Sequence, residues 1–265
     1  MNYWKNTWPF MTCNIKNCTM TNSPYKETIT IPTFAAGPDN TLSISYLMRY
    51  LQEAAANHAS RLGVGFEQLS PQQLFWVLSR LHMEAIHLPK MGETITIETW
   101  PREMIRLFSV RDFIVRDAND QVIIKATTDW LMLNAQNLRP QRLNKWADQI
   151  AYTPDQTAIP GLVRDLPSLP EETSGVCRQV TYSDIDMNHH VNNARYLDWF
   201  LDAIAQQQPM TSAIHSVELN FLNEFKLNDT ATIVLDELSP GNIHLEARKN
   251  GHHSGGVKGV ISFRQ

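Results

Sequence analysis

The chain is written twice. From about Pro24 onward, two segments of unequal length carry the same order of elements. In the first, Glu27–Ile31 (ETITI) alternates like a strand, and after the turn signal GPDN comes an amphipathic run with Leu47, Leu51, Ala54 and His58 on one face. Alternating segments follow at Glu93–Trp100, Phe108–Val115 and Gln121–Leu133. The second opens with Arg178–Tyr182 and passes through a polar stretch into a helix bearing Leu197, Phe200, Leu201 and Ile204 at i, i+3, i+4 and i+7. Strand-like alternation resumes at Glu218–Phe225, Thr230–Leu235, Ile243–Arg248 and Val257–Phe263. Residues match as well as elements: with Tyr46 set on Tyr196, SYLMRYLQEA lies over RYLDWFLDA, and with Leu88 set on Glu224, ETITIET lies over DTATIVL. One long helix across an antiparallel sheet is an α+β layer, and two such units can join edge to edge.

Between the copies, Gln136–Gly175 holds five of the fourteen prolines (Pro140, Pro154, Pro160, Pro167 and Pro170) and shows neither strand alternation nor a helical stripe. It reads as a linker crossing a surface. The expected division is a tail over 1–23, a first unit over 24–135, the linker over 136–175 and a second unit over 176–265. At 265 residues with 43% hydrophobic and 19% charged content, the chain has enough apolar material for a real core. No stretch approaches the ~20 apolar residues of a membrane span, and the N-terminal segment lacks an apolar run followed by a small-residue cleavage site, so a cytoplasmic protein is expected. Cys13, Cys18 and Cys177 fit neither a disulfide framework nor a paired-CxxC zinc site, and a net charge of −4 argues against general nucleic-acid binding. Neither G-x-S-x-G, a Walker loop, a dinucleotide fingerprint nor H-E-x-x-H occurs, which removes the usual support for serine hydrolase, nucleotide-binding and zinc-protease readings. No cofactor is expected.

Chemistry concentrates in Tyr182–Asp202, YSDIDMNHHVNNARYLDWFLD. In extended chain, the spacing of two puts Asp186, Asn188 and His190 on one side. Asn192 or Asn193 then serves as N-cap of the following helix, whose unpaired N–H groups and dipole lie beside the cluster and offer an oxyanion site around Val191, Asn192 and Asn193. The same residue types also serve as plain caps, turn formers and hydrogen-bonded packing. The two copies differ here. GPDNTLSIS keeps the turn and cap chemistry but sets Asn40 opposite His190, and Leu88 stands opposite Glu224. Capping alone does not require titratable groups in one copy only.

DMNHHVNNARYLDWFLD resembles the D-x-N-x-H-V-N-N-x-x-Y signature of acyl-acyl carrier protein thioesterases, a family built as a tandem of two hotdog domains. The resemblance runs through the repeat, the linker and the placement of the motif in the second copy. It implies a catalytic set of Asp186, Asn188, His190 and Glu224, the last standing 34 residues beyond the motif histidine. Plant members carry a cysteine directly after that glutamate. Phe225 stands there in this chain, which resembles the bacterial branch.

The implied activity is hydrolysis of fatty acyl-carrier protein, releasing free fatty acid and ending fatty acid synthesis. The implied partner is an acyl carrier protein, and the first copy would supply the acyl pocket. The first-copy helix and Leu74–Leu81 (LFWVLSRL), taken as helical stripes, are compatible with lining a tunnel or with plain core. An excess of three positive charges over Pro101–Lys145, from Arg102, Arg106, Arg111, Arg116, Lys125, Arg139, Arg142 and Lys145 against five acids, is the expected basic surface for an acidic carrier. His252-His253 reads as an exposed turn and not a metal site. A CoA thioesterase and a non-catalytic acyl-binding regulator are the alternatives, and the chain fits a monomer or a homodimer.

Overall fold

The computed structural model describes residues 24–143, 150–210, 212–249 and 255–264. The first half runs β1 (Tyr25–Thr30), α1 (Ile44–Arg61), a short α2 (Phe66–Leu69), β2 (Leu74–Ala85), β3 (Thr94–Ile105), β4 (Phe108–Arg116) and β5 (Val122–Asn134). The second runs β6 (Gly175–Gln179), α3 (Asn193–Gln207), β7 (Ile214–Phe221), β8 (Thr230–Ser239), β9 (Asn242–Lys249) and β10 (Val257–Phe263). All ten strands form one antiparallel sheet in the order β1-β3-β4-β5-β2-β7-β10-β9-β8-β6. That order reads the same from either edge when the halves are exchanged. The copies meet where β2 pairs with β7, with Leu81 opposite Leu219.

The two long helices lie side by side on one face of the sheet. Leu47, Met48, Leu51, Ala54 and Ala55 of α1, and Leu197, Phe200, Ala203 and Ile204 of α3, follow the helical period and enter one shared core. Truncating a leucine such as Leu51 there costs about 2–5 kcal/mol. Arg49 of α1 reaches Asp198 of α3 at 3.3 Å, and the Asn193 amide donates to Gln52 Oε1 at 3.4 Å.

The opposite face is covered by residues 153–171, which cross from the first half to the second. Side chains on the sheet hold this strap by its backbone. Trp100 Nε1 donates to Gln156 O, Arg102 to Ile159 O and Gly161 O, Arg80 to Val163 O, Lys258 to Leu166 O, and Arg248 to Leu169 O. The Asp112 carboxylate accepts from Ala158 N–H, and Asn220 takes Leu166 N–H while donating to Arg164 O. These pairings satisfy backbone groups that burial would otherwise leave orphaned. With helices on one face and strap on the other, the central strand β2 is enclosed on both. Leu74–Leu81 is therefore strand and not a helical stripe; a strand covered on both faces loses its alternation. Among the described residues no helix is long and apolar enough to cross a membrane.

Candidate active site

A tight loop carries the motif. Ile185 and Val191 pair across its neck, and inside it Asp186 N–H donates to His190 O at 2.9 Å and His189 N–H to Asp186 O at 3.0 Å. Asp186 Oδ1 accepts the Asn188 N–H at 2.8 Å, and His189 takes a left-handed φ of 62°. The segment is thus not the extended chain its spacing implied: a turn, and not strand alternation, brings Asp186, Asn188 and His190 together. Val191 N–H then donates to Phe225 O at 2.8 Å, docking the loop on the segment that follows β7. Next to that bond, His190 Nε2 lies 3.1 Å from Glu224 Oε2.

Tyr196, on the first turn of α3, closes the group from below. Its hydroxyl accepts the Phe225 N–H at 3.4 Å. Burial raises its pKa well above the usual phenol value, and the negative charges of Glu224 and Asp186 add to that push. The phenol therefore stays protonated, in the field of both carboxylates. Trp199 packs against Phe225 and donates to Asp184 Oδ1 at 3.3 Å, a structural contact.

Asn192 is the N-cap of α3, its side chain accepting the Ala194 N–H at 3.0 Å. The donors expected of Val191 and Asn192 are already engaged: Val191 N–H goes to Phe225 O, and Asn192 N–H goes to Asp184 O at 2.9 Å. Both residues hold the loop's shape and present no free backbone donor. Of the three residues expected to form the oxyanion site, Asn193 is the one whose N–H, first of the helix, has no acceptor within it.

Beside the loop opens a cavity of about 510 Å³, which Asn188 lines together with Met187, itself 74% exposed. It runs along α1 past Gln52, Ala55 and Ala59, and is walled by Phe75 and Trp76 of β2 and by Trp130 of β5. Its wall is therefore almost entirely first-half residues, and the motif loop of the second half stands at one end. Among the described residues no cluster of three or more His, Cys, Asp or Glu side chains forms a metal-holding group.

The sequence descriptions "Acyl-ACP thioesterase N-terminal domain" and "Acyl-ACP thioesterase C-terminal domain" match residues 22–150 and 170–259. The chain belongs to the acyl-ACP thioesterase family. It is 28% identical over 252 residues to the chloroplastic oleoyl-acyl carrier protein thioesterase 1 of Arabidopsis thaliana, covering 89% of this chain and 68% of that protein. To the chloroplastic dodecanoyl-[acyl-carrier-protein] hydrolase of Cinnamomum camphora it is 27% identical, covering 76% and 56%. The chain thus spans between about half and two thirds of these plant proteins. The solved acyl-ACP thioesterase of Bacteroides thetaiotaomicron VPI-5482 superposes with a TM-score of 0.84 at 27% identity, covering 92% of this chain and 98% of that one. The 12:0-ACP thioesterase of Umbellularia californica shares the fold, with a TM-score of 0.79 at 23% identity over 91% and 97% of the two chains. The fold is the tandem hotdog of this family, α+β with a large antiparallel sheet.

Within this family member the two copies of the loop match bond for bond, and the register differs from the sequence pairing. Ala36 and Leu42 form the first-half neck, Leu42 N–H donates to Pro89 O at 2.7 Å, and Asn40 has φ 64°. Asn40 is therefore the counterpart of His189, and Thr41 that of His190. Leu88 remains opposite Glu224. The basic surface also needs correction: Arg102 and Arg111 are buried, on opposite faces of the sheet, and Arg116 pairs with Glu98 and Asp120. Lys145, His252 and His253, with Cys13 and Cys18, lie outside the described residues.

Proposed function

We propose that this chain hydrolyses the thioester of fatty acyl-acyl carrier protein, releasing free fatty acid in the cytoplasm, with Asp186, Asn188, His190 and Glu224 as the reacting set. The observation that carries the reading is the His190–Glu224 contact of 3.1 Å, made by the same loop whose Met187 and Asn188 line one end of a largely apolar cavity. The acyl chain enters the cavity between α1 and the sheet, and the thioester carbonyl rests against the motif loop. Glu224, oriented by His190, accepts a proton from water as the water oxygen bonds to the carbonyl carbon. The tetrahedral oxyanion is met by Asn188 and the free end of α3 at Asn193. Collapse breaks the carbon–sulfur bond, and the carrier thiolate leaves and takes up a proton. Asp186, anchored by the Asn188 N–H, holds the second carboxylate on the carbonyl.

A second reading makes Asp186 the nucleophile: a carboxylate oxygen bonds to the carbonyl carbon, the carbon–sulfur bond breaks and the carrier thiolate leaves and takes up a proton, and water then opens the anhydride to free fatty acid and the restored Asp186 carboxylate. Its second oxygen, without a hydrogen-bond partner among the described residues, and the anchored first one favour it as much as Glu224's partner favours general base catalysis.

Thiol release measured on matched acyl chains presented as carrier-protein and CoA thioesters tests the function. Faster turnover of the carrier-protein series is expected, and Asp186→Ala and Glu224→Ala are each expected to lose about 10²-fold or more in kcat. Normal turnover in both variants would remove the assignment, and a preference for CoA would move the substrate. Hydroxylamine trapping of an acyl group on wild type but not on Asp186→Ala would select the covalent route.

A further inference from the structure

Two ionisable side chains that the hydrolytic chemistry does not use line the acyl cavity, the exposed Glu67 and the buried Arg111. Arg111 on β4 lines the cavity and is only 8% exposed. Its Nη1 bonds His58 Nδ1 and Thr99 Oγ1, each at 3.1 Å. Burial and the nearby Arg111 and Arg61 charges push His58 down to about 4, so the ring is neutral and receives the guanidinium hydrogen on Nδ1. Among the described residues no carboxylate forms an ion pair with Arg111. Burial lowers its own pKa to about 10, which still leaves it charged at neutral pH. Tyr152 lies near the guanidinium with its hydroxyl toward Ser109, which lines the cavity; Tyr152 itself does not line it.

The fold does not demand this arrangement. The duplication supplies a control, because β3 and β8 begin at Thr94 and Thr230 and bulge at the same step, after Pro101 and Glu237. Pro101 pairs with Arg111 on the neighbouring strand, and Glu237 with Ile243. The second half thus has Ile243 where the first has Arg111, Leu235 for Thr99 and Gln207 for His58. These second-half residues line a smaller cavity of about 220 Å³. The same framework packs well with an apolar residue at this point, so a buried guanidinium with no carboxylate partner among the described residues is an addition.

A buried cation whose partners among the described residues are all neutral is costly, and a purely methylene chain beside it recovers none of that cost. An oxygen on the chain does. We propose that Arg111 selects acyl chains that carry an acceptor oxygen, as a hydroxyl, oxo or carboxylate group, over plain saturated chains of equal length. His58 stands six residues beyond Gln52, so the contact lies about 9 Å along α1 from the end of the cavity that meets the motif loop. The oxygen belongs several carbons from the thioester. This rests on the cavity being the acyl site of the proposed hydrolase.

The test uses binding, so that it does not share a readout with thiol release. Non-hydrolysable acyl-pantetheine amides, which lack a free head carboxylate, are titrated into the full chain by calorimetry. The series holds one saturated chain, chains of that length with a hydroxyl or oxo group at successive carbons, and one ending in a carboxylate. At least one oxygenated member is expected to bind tenfold or more tightly than the saturated one, and Arg111→Met is expected to abolish that preference. Equal binding across the wild-type series overturns the proposal without any variant, and so does a preference that survives in Arg111→Met. Loss of hydrolysis on every thioester, with the binding preference intact, would instead fail the hydrolase reading alone.

Discussion

Asp129 shows what a single buried acid does to this molecule. It is fully enclosed on the strap side of the sheet, with Arg80 at 3.9 Å and the Val163 backbone N–H turned toward it, and among the described residues no well-formed hydrogen bond reaches either oxygen. Burial, partly offset by Arg80 and Arg102, raises its pKa from 3.8 to about 6. Between those values the folded chain holds a proton that the unfolded chain has lost, so this group's contribution falls as pH rises from about 4 to about 6 and its cost is complete above that. Asp129→Asn is therefore expected to stabilise the protein by about 1–3 kcal/mol at pH 8, with the gain vanishing below pH 4, as read from urea unfolding across pH. Composition places no charge inside or outside, which is why Arg111 and Asp129 were counted in the sequence as surface charge. The motif residues were legible because residue identity carries the signal there; the turn that gathers them was not, since Asp186, Asn188 and His190 at spacing two fit strand and loop alike.

Helix α3 and the strap are the elements that position the site. Asn192→Ala removes the cap on Ala194 and should cost about 1 kcal/mol, seen as a Tm lower by roughly 2–4 °C, while loosening the loop that holds His190 to Glu224. Arg102→Met leaves Asp112 buried without its cation and frees Ile159 O and Gly161 O; a loss of about 3–5 kcal/mol is expected in chemical denaturation. Element order was readable from periodicity, and most strands fall where alternation put them. The helix register was not. Matching Tyr46 to Tyr196 weighed one shared aromatic above the burial phase, yet Leu47, Met48 and Leu51 are buried where Tyr196, Leu197 and Phe200 are, while Tyr46 is only partly buried. Counting from the caps, Ser43 and Asn192, gives the phase that the core uses.

At the scale of the whole molecule, the β2–β7 seam joins the copies into one sheet. Residues 24–165 alone would present β2 as a long, apolar, unpaired edge, and such a fragment is expected to elute from size exclusion as dimer or aggregate and not as monomer. Two identical subunits meeting at that seam would be bound by symmetry: each substitution would appear at both ends of the assembly. Joining the copies in one chain lifts that bond. His190 and Glu224 face Thr41 and Leu88 across the pseudo-axis, and Arg111 faces Ile243. Each position is free to change once. On the proposed reading, the cavity wall supplied by the first copy, with Trp76, Trp130 and Arg111, can vary while His190 and Glu224 of the second copy stay untouched; the protein carries two separately adjustable dials on one sheet.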